Sequence, residues 1–178
     1  MNDSSKIFDG LLVLQYRSGS KKALNLLVSK YHVKLCKHSF YYTFDIEASK
    51  DVVQDCWKII MKKIDSLKDP NLFGSWAFRI VTRKSLDFVS KRKKEFEKLQ
   101  ESYFLAVTKT TASDVEEPIR KLRKAISTLS KEQQLVLGLF YTENYTIKEI
   151  AEILEISVGT IKSRLFNARE KLKTILNT

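Results

Sequence analysis

The sequence predicts an all-helical protein made of two small domains, and three observations carry that expectation. Only 5 Gly and 2 Pro occur in 178 residues, too few for the tight turns that sandwiches and barrels require. Hydrophobic residues make up 43% of the chain, which supports a folded protein and, at this length, one medium core or two small ones. Apolar residues also recur at three- and four-residue steps through most of the chain, the spacing of one buried helix face.

In the first block, a short helix is expected around Phe8, Leu11 and Leu12. A second follows with Ala23, Leu24, Leu27, Tyr31 and Leu35 as its buried stripe. A third stripe, Val53, Cys56, Trp57, Ile60 and Ile64, stops at Asp69-Pro70, where Asp can cap and Pro can occupy the first turn of the next helix. That fourth helix is expected to turn Leu72, Phe73, Trp76, Ile80 and Val81 inward before becoming basic at Lys91-Arg92-Lys93-Lys94. Four such helices make a bundle over residues 1–94.

Residues 95–118 read as a linker. The segment carries Thr, Ser and acidic residues, loses apolar periodicity in its second half and ends at Pro118. No internal repeat or low-complexity tract interrupts the chain.

The last block, 119–178, opens with a helix bearing Leu122, Ala125, Ile126 and Leu129. Ser130 with Gln133 then has the spacing of a capping box for a helix that buries Leu135, Val136, Leu139 and Phe140. Thr146 with Glu149 repeats the box and starts a short helix whose inner side is Ile147, Ile150, Ala151 and Leu154. Glu155-Ile156-Ser157 forms a tight connection to a final helix with Ile161, Leu165, Ala168 and Leu172 inside. A short helix, a tight turn and a second helix make a helix-turn-helix.

Charge indicates the partner. Thirty-two Lys and Arg against 21 Asp and Glu give a formal net charge of +11, which favours a polyanion. The excess is split: residues 1–93 carry 18 basic and 9 acidic side chains, residues 94–118 carry 3 and 6, and residues 119–178 carry 11 and 6. Two basic modules separated by an acidic connector should touch nucleic acid at two separated places. In a helix-turn-helix the start of the second helix enters the major groove, so Ser157, Val158, Gly159, Thr160, Lys162, Ser163 and Arg164, with Asn167 and Arg169 further along, are the candidates for DNA contact.

At this point both halves resemble one family, the extracytoplasmic-function (group IV) sigma factors of bacterial RNA polymerase. The resemblance rests on DIEASKDVVQDCWKIIMKKI and FGSWAFRIVTRKSLDFVSKRKK in the first block, and on LSKEQQLVLGLFYTENYTIKEIAEILEISVGTIKSRLFNAREKLKTIL in the second. It implies a region-two domain, a linker and a region-four domain in a protein that joins core polymerase, directs it to promoters and helps open the duplex. By likeness, Asp51, Gln54, Asp55 and Lys58 on the third helix meet the clamp helices of the largest polymerase subunit. The minus-10 element would be read by Lys68 and Asn71 in the loop and by Arg79, Arg83, Lys84, Asp87, Lys91 and Arg92 on the fourth helix. The final helix would read the minus-35 element, and Val136, Leu139 and Phe140 would meet the polymerase flap. Many members are held by an anti-sigma partner, often membrane-anchored, and the resemblance admits one here. The linker would thread toward the active-centre channel.

The residues offer little to other chemistries. His32, Cys36, His38 and Cys56 are the only plausible metal ligands; the cysteines are expected in the core and the histidines on the surface, with no metal and no other cofactor. No Gly-rich phosphate loop or carboxylate cluster is present, so neither an enzyme nor a nuclease is expected. Two Cys cannot build a disulfide framework, the N-terminus MNDSSKIFDG is polar and acidic, and no apolar run approaches the ~20 residues of a membrane span, so a cytoplasmic protein is expected. The alternative is a stand-alone helix-turn-helix regulator whose first domain senses a ligand or binds a partner. That reading needs a pocket in the first block, whereas a sigma factor needs an exposed polar third helix and a basic fourth one.

Overall fold

The computed structural model describes residues 3–99 and 117–176, and every element among them is helical. The first four helices are α1 (Asp3–Arg17), α2 (Lys21–Thr43), α3 (Ile46–Lys63) and α4 (Phe73–Leu99), with 3-10 turns at Ile64–Ser66 and Pro70–Leu72 between α3 and α4. Four more follow: α5 (Glu117–Ser127), α6 (Lys131–Leu137, continued as a π turn over Gly138–Thr142), α7 (Ile147–Leu154) and α8 (Val158–Leu176). Most of the expected linker therefore lies outside the described residues, while its ends belong to α4 and α5.

The helix boundaries follow from local chemistry. Asp45 caps α3 by accepting from the amides of Glu47 and Ala48, and Asp69 caps the turn before α4, with Pro70 at its first position. Both expected capping boxes are formed, Ser130 with Gln133 and Thr146 with Glu149. The α7–α8 connection turns at Glu155, whose φ of 56° is left-handed, and Ser157 caps α8 by accepting from the Thr160 amide at 3.0 Å.

α2 lies against α1, α3 and α4, and its stripe Ala23, Leu27, Tyr31 and Leu35 is buried, with Leu24 half-buried. The α3 stripe is buried throughout, from Val53 to Ile64. Two expected faces differ. In α1, Phe8 and Leu11 point outward; the inner face is Asp9, Leu12 and Val13, because a buried carboxylate occupies a position that a hydrophobicity pattern assigns to solvent. In the fourth stripe, Leu72 ends the 3-10 turn before α4 and is exposed, Trp76 and Ile80 are half-buried, and the interior residues of α4 are Phe73, Ala77, Phe78, Val81, Thr82 and Ser85. Trp76 packs on Phe73 with ring centroids 6.2 Å apart, as a core residue does.

The C-terminal helices pack around α8, which meets α5, α6 and α7. Leu135, Val136, Leu139, Ile150, Leu154, Ile161, Leu165 and Ala168 are interior, while Leu122 is exposed. α4 also packs on α7, and Phe78 meets Tyr145 edge-on at 5.4 Å, so the two halves share one continuous apolar interior.

Candidate nucleic-acid and polymerase interfaces

The apolar stripe of α3 fixes what the opposite side shows. With Val52, Val53, Cys56, Trp57 and Ile60 buried, Asp51, Gln54, Asp55, Lys58 and Lys62 share an exposed face of α3. Lys58 donates to Asp55 Oδ1 at 2.9 Å, and that hydrogen bond holds the Asp55 carboxyl below its ordinary range. The four expected polymerase residues are brought together.

The loop between α3 and α4 is positioned by α1. Arg17 donates to the carbonyls of Ile64, at 2.5 Å, and Leu67, at 2.6 Å, holding the turn that carries exposed Lys68. Asn71 is exposed, and its side chain lies against Gly10: a Cβ on Gly10 would come within 2.3 Å of Asn71 Oδ1, so glycine is what lets the loop approach α1.

The six expected DNA residues of α4 are all exposed, yet they do not form one patch. Arg79 and Arg83, one turn apart, both donate to Glu155 Oε1 of the α7–α8 turn, with Nε distances of 2.9 and 3.0 Å. Lys84 faces the α3 side, where its charge reaches Asp55 and Cys56. Arg92 Nη1 lies 3.8 Å from Asp45 Oδ2. The neighbouring Thr82 is interior: it meets His38 Nε2 at 2.8 Å and donates to the Phe78 carbonyl at 3.0 Å.

The outer face of α8 is open. Ser157, Val158, Gly159, Lys162, Ser163, Asn167 and Arg169 are exposed, and Thr160 and Arg164 are half-exposed. Part of this set is already engaged. The Ser157 hydroxyl caps the helix, and Arg169 donates to the Tyr141 hydroxyl at 2.8 Å while lying over the Phe140 and Tyr141 rings. Lys171 donates to the Thr128 carbonyl at 2.6 Å, tying α8 to the end of α5. Val136 and Leu139 are interior, so of the expected flap residues only Phe140 reaches the surface, beside exposed Tyr141.

His38 is buried, contrary to the surface position expected of it, because Thr82 supplies a hydrogen-bond partner and Tyr42 and Phe78 enclose the ring. Burial lowers its pKa to about 3. Cys56 is fully buried, and burial pushes its thiol up to about 12. His32 Nε2 and Cys36 Sγ stand 3.7 Å apart beside an open cleft of about 620 Å³ that Val33, Phe40, Ile46 and Lys50 also line. Among the described residues no group of three or more His, Cys, Asp or Glu is placed to hold a metal ion, and no helix is long and apolar enough to cross a membrane.

Sequence reasoning missed Glu155 and its companions. Lys6 meets Glu149 at 2.6 Å, Lys34 meets Glu143 at 2.7 Å, and Lys131 sits 3.4 Å over the Phe44 ring, each pair joining the two halves. No local signal marks them, since each partner is more than seventy residues away in sequence.

Comparison with known proteins identifies the family. The family model for sigma-70 region 2 matches residues 27–95, and that for sigma-70 region 4 matches residues 119–172. The chain belongs to the extracytoplasmic-function sigma factors. This sigma factor is 27% identical over 182 residues to the sigma-E factor of Haemophilus influenzae, covering 96% of each chain. It is 25% identical over 181 residues to the sigma-E factor of Escherichia coli strain K12, covering 95% of this chain and 94% of that one. Its fold matches CnrH in complex with the cytosolic domain of CnrY (TM-score 0.62, 24% identity, 96% of this chain and 97% of that one). It also matches the sigma factor RpoE in complex with the anti-sigma factor NepR from Bartonella quintana (TM-score 0.70, 22% identity, 88% and 98% covered). The sigma factor thus acts in transcription initiation, a role that implies core RNA polymerase and promoter DNA as its partners.

Proposed function

We propose that this sigma factor docks on the polymerase clamp helices through Asp51, Gln54, Asp55 and Lys58 and reads a promoter at two places. Residues 119–178 act as the region-four module, with the α8 face from Ser157 to Arg169 on the minus-35 element. Residues 1–94 act as the region-two module, with Lys68, Asn71, Arg79, Arg83, Lys84, Asp87, Lys91 and Arg92 on the minus-10 element, and 95–118 is the linker. The carrying observation is that α3 presents an exposed polar row while α4 and α8 each present exposed cations, in the chain order of the two matched family models. Phosphate contacts by such cations position a protein on DNA, and base-edge contacts by the first turns of the recognition helix specify the sequence.

The sigma factor is non-catalytic, needs no cofactor and works in the cytoplasm, where the polymerase is. Solved relatives of this fold are seen with CnrY and NepR, which supports an anti-sigma partner for this chain as well. Exposed Tyr141 beside Phe140 extends the surface offered to the flap.

In vitro transcription by core polymerase with the purified sigma factor on a randomised promoter library tests this reading. Enrichment of two separated elements is expected. Tight binding of duplex DNA by the protein alone, without association with core, would instead favour the ligand-sensing regulator, for which the cleft beside Cys36 is the supporting observation.

A further inference from the structure

The segment that joins α3 to α4 holds Lys68 and Asn71 in place with little structure of its own. It makes two short 3-10 turns, Ile64–Ser66 and Pro70–Leu72, and the stretch between them, which carries Lys68, belongs to no helix. Its hydrogen bonds stay within each turn: the Leu67 amide donates to the Ile64 carbonyl at 3.2 Å, and the Leu72 amide donates to the Asp69 carbonyl at 3.0 Å. Among the described residues no bond of this segment spans Lys68. Loops present contacts less precisely than helices do, unless a second layer of residues fixes the backbone beneath them.

α1 supplies that layer. Ile64 and Leu67 are buried, and Arg17 Nη2 spends its two N–H groups on their carbonyls, tying α1 to the residue just before Lys68. The second anchor is Gly10. A Cβ there would stand 3.3 Å from the backbone nitrogen of Asn71, so the loop returns to the same helix about two turns away from Arg17. Exposed Lys68 lies between these two fixed points.

Arg17 holds the loop at a cost to itself. Its Nε is buried with no hydrogen-bond partner among the described residues, and the Asp65 carboxylate that it approaches is 3.9 Å away and 81% exposed. A buried donor left unpaired is unfavourable, and an exposed pair at that distance returns little. The guanidinium is placed to reach two loop carbonyls rather than to satisfy all of its own donors.

We propose that Arg17 is a positioning residue for minus-10 recognition, acting through the loop rather than on DNA by holding Leu67, and with it Lys68, against α1. The role rests on the reading that Lys68 and Asn71 meet the minus-10 element. A base drawn out of the stack needs contacts that offset the loss of stacking, and a loop ordered beforehand offers them without a further ordering cost.

Promoter competition with core polymerase and the full-length sigma factor tests it. Arg17→Met keeps an apolar stem and removes the fork, and should lower discrimination between minus-10 base variants about tenfold. Discrimination between minus-35 variants and affinity for core should stay as in wild type. Arg17→Lys keeps the charge without the planar fork and should show part of the same loss, which carries the test should Arg17→Met fail to fold. In a Lys68→Ala, Asn71→Ala background, Arg17→Met should cost nothing further, since no reading side chain is left to position. Amide exchange over residues 66–69 of the free protein should also be faster in Arg17→Met. Wild-type minus-10 discrimination in both Arg17 variants, an equal loss at the two elements, or the full loss repeated in the Lys68, Asn71 background would overturn the proposal. Unchanged minus-10 discrimination in the Lys68→Ala, Asn71→Ala protein would overturn the minus-10 reading, and the role of Arg17 with it, even where amide exchange showed the anchor intact.

Discussion

The buried carboxylate of Asp9 accepts a 2.6 Å hydrogen bond from the Tyr31 hydroxyl, joining α1 to α2, and meets Lys30 Nζ at 2.5 Å. A charged group with no exposure is tolerated because both oxygens are engaged. Burial, then the neighbouring Tyr145, then Asp9 itself push the Tyr31 hydroxyl far above the ordinary range, so it stays a donor at every pH the protein meets.

Asp9→Ala should therefore cost about 2–4 kcal/mol, because it strips Lys30 and Tyr31 of a shared acceptor inside the region-two half. Urea unfolding followed by circular dichroism measures it. A loss below about 0.5 kcal/mol, the usual range for a surface change, would mean that the carboxylate is not structural.

His38 makes stability pH-dependent. Its folded pKa is lowered by burial to about 3 from 6.5, so below about 6.5 the unfolded chain binds the proton that the folded chain refuses. Stability from this group should fall by roughly 1.4 kcal/mol per pH unit as pH drops through that window, and be unaffected above it. Melting temperatures from pH 7 to 5 should show a slope for the wild type that is flatter in His38→Gln. Equal slopes would assign the acid sensitivity to other groups.

Asp55 belongs to the exposed row of α3 and pairs across the helix surface with Lys58. Asp55→Lys should abolish co-purification with core polymerase while leaving the melting temperature within a few degrees, since exposed pairs contribute at most about 1 kcal/mol. Wild-type affinity for core in this variant would remove α3 as the docking face.

Arg164 is half-exposed on the recognition helix, and its charge reaches Tyr42 of α2, whose hydroxyl burial nevertheless pushes up to about 12. If its guanidinium reads a base edge, Arg164→Ala should lower promoter discrimination by about 1–3 kcal/mol. Competition between a selected promoter and a single-base variant measures the loss; unchanged discrimination would leave Arg164 a structural contact to the region-two half.

Helices, caps and the helix-turn-helix were legible in the sequence because they depend on neighbours within one or two turns: the Ser130 and Thr146 boxes and the stripe of α3 follow from spacing alone. The exposed row Asp51, Gln54, Asp55 and Lys58 follows for the same reason, as the far side of that stripe. Periodicity failed where a polar group is interior. Asp9, His38 and Thr82 look like surface residues until their partners, Tyr31 and Lys30 for the first and each other for the second two, are brought from distant helices.

By itself, then, the sequence determined which segments are helical, the apolar sides of α2, α3 and α8, and how much positive charge each half carries, since these are sums over local residues. Only the tertiary structure decided which of those charges are free. Glu155 lies more than seventy residues from Arg79 and Arg83, and an ion pair across that distance exists only once α4 and α7 have packed together.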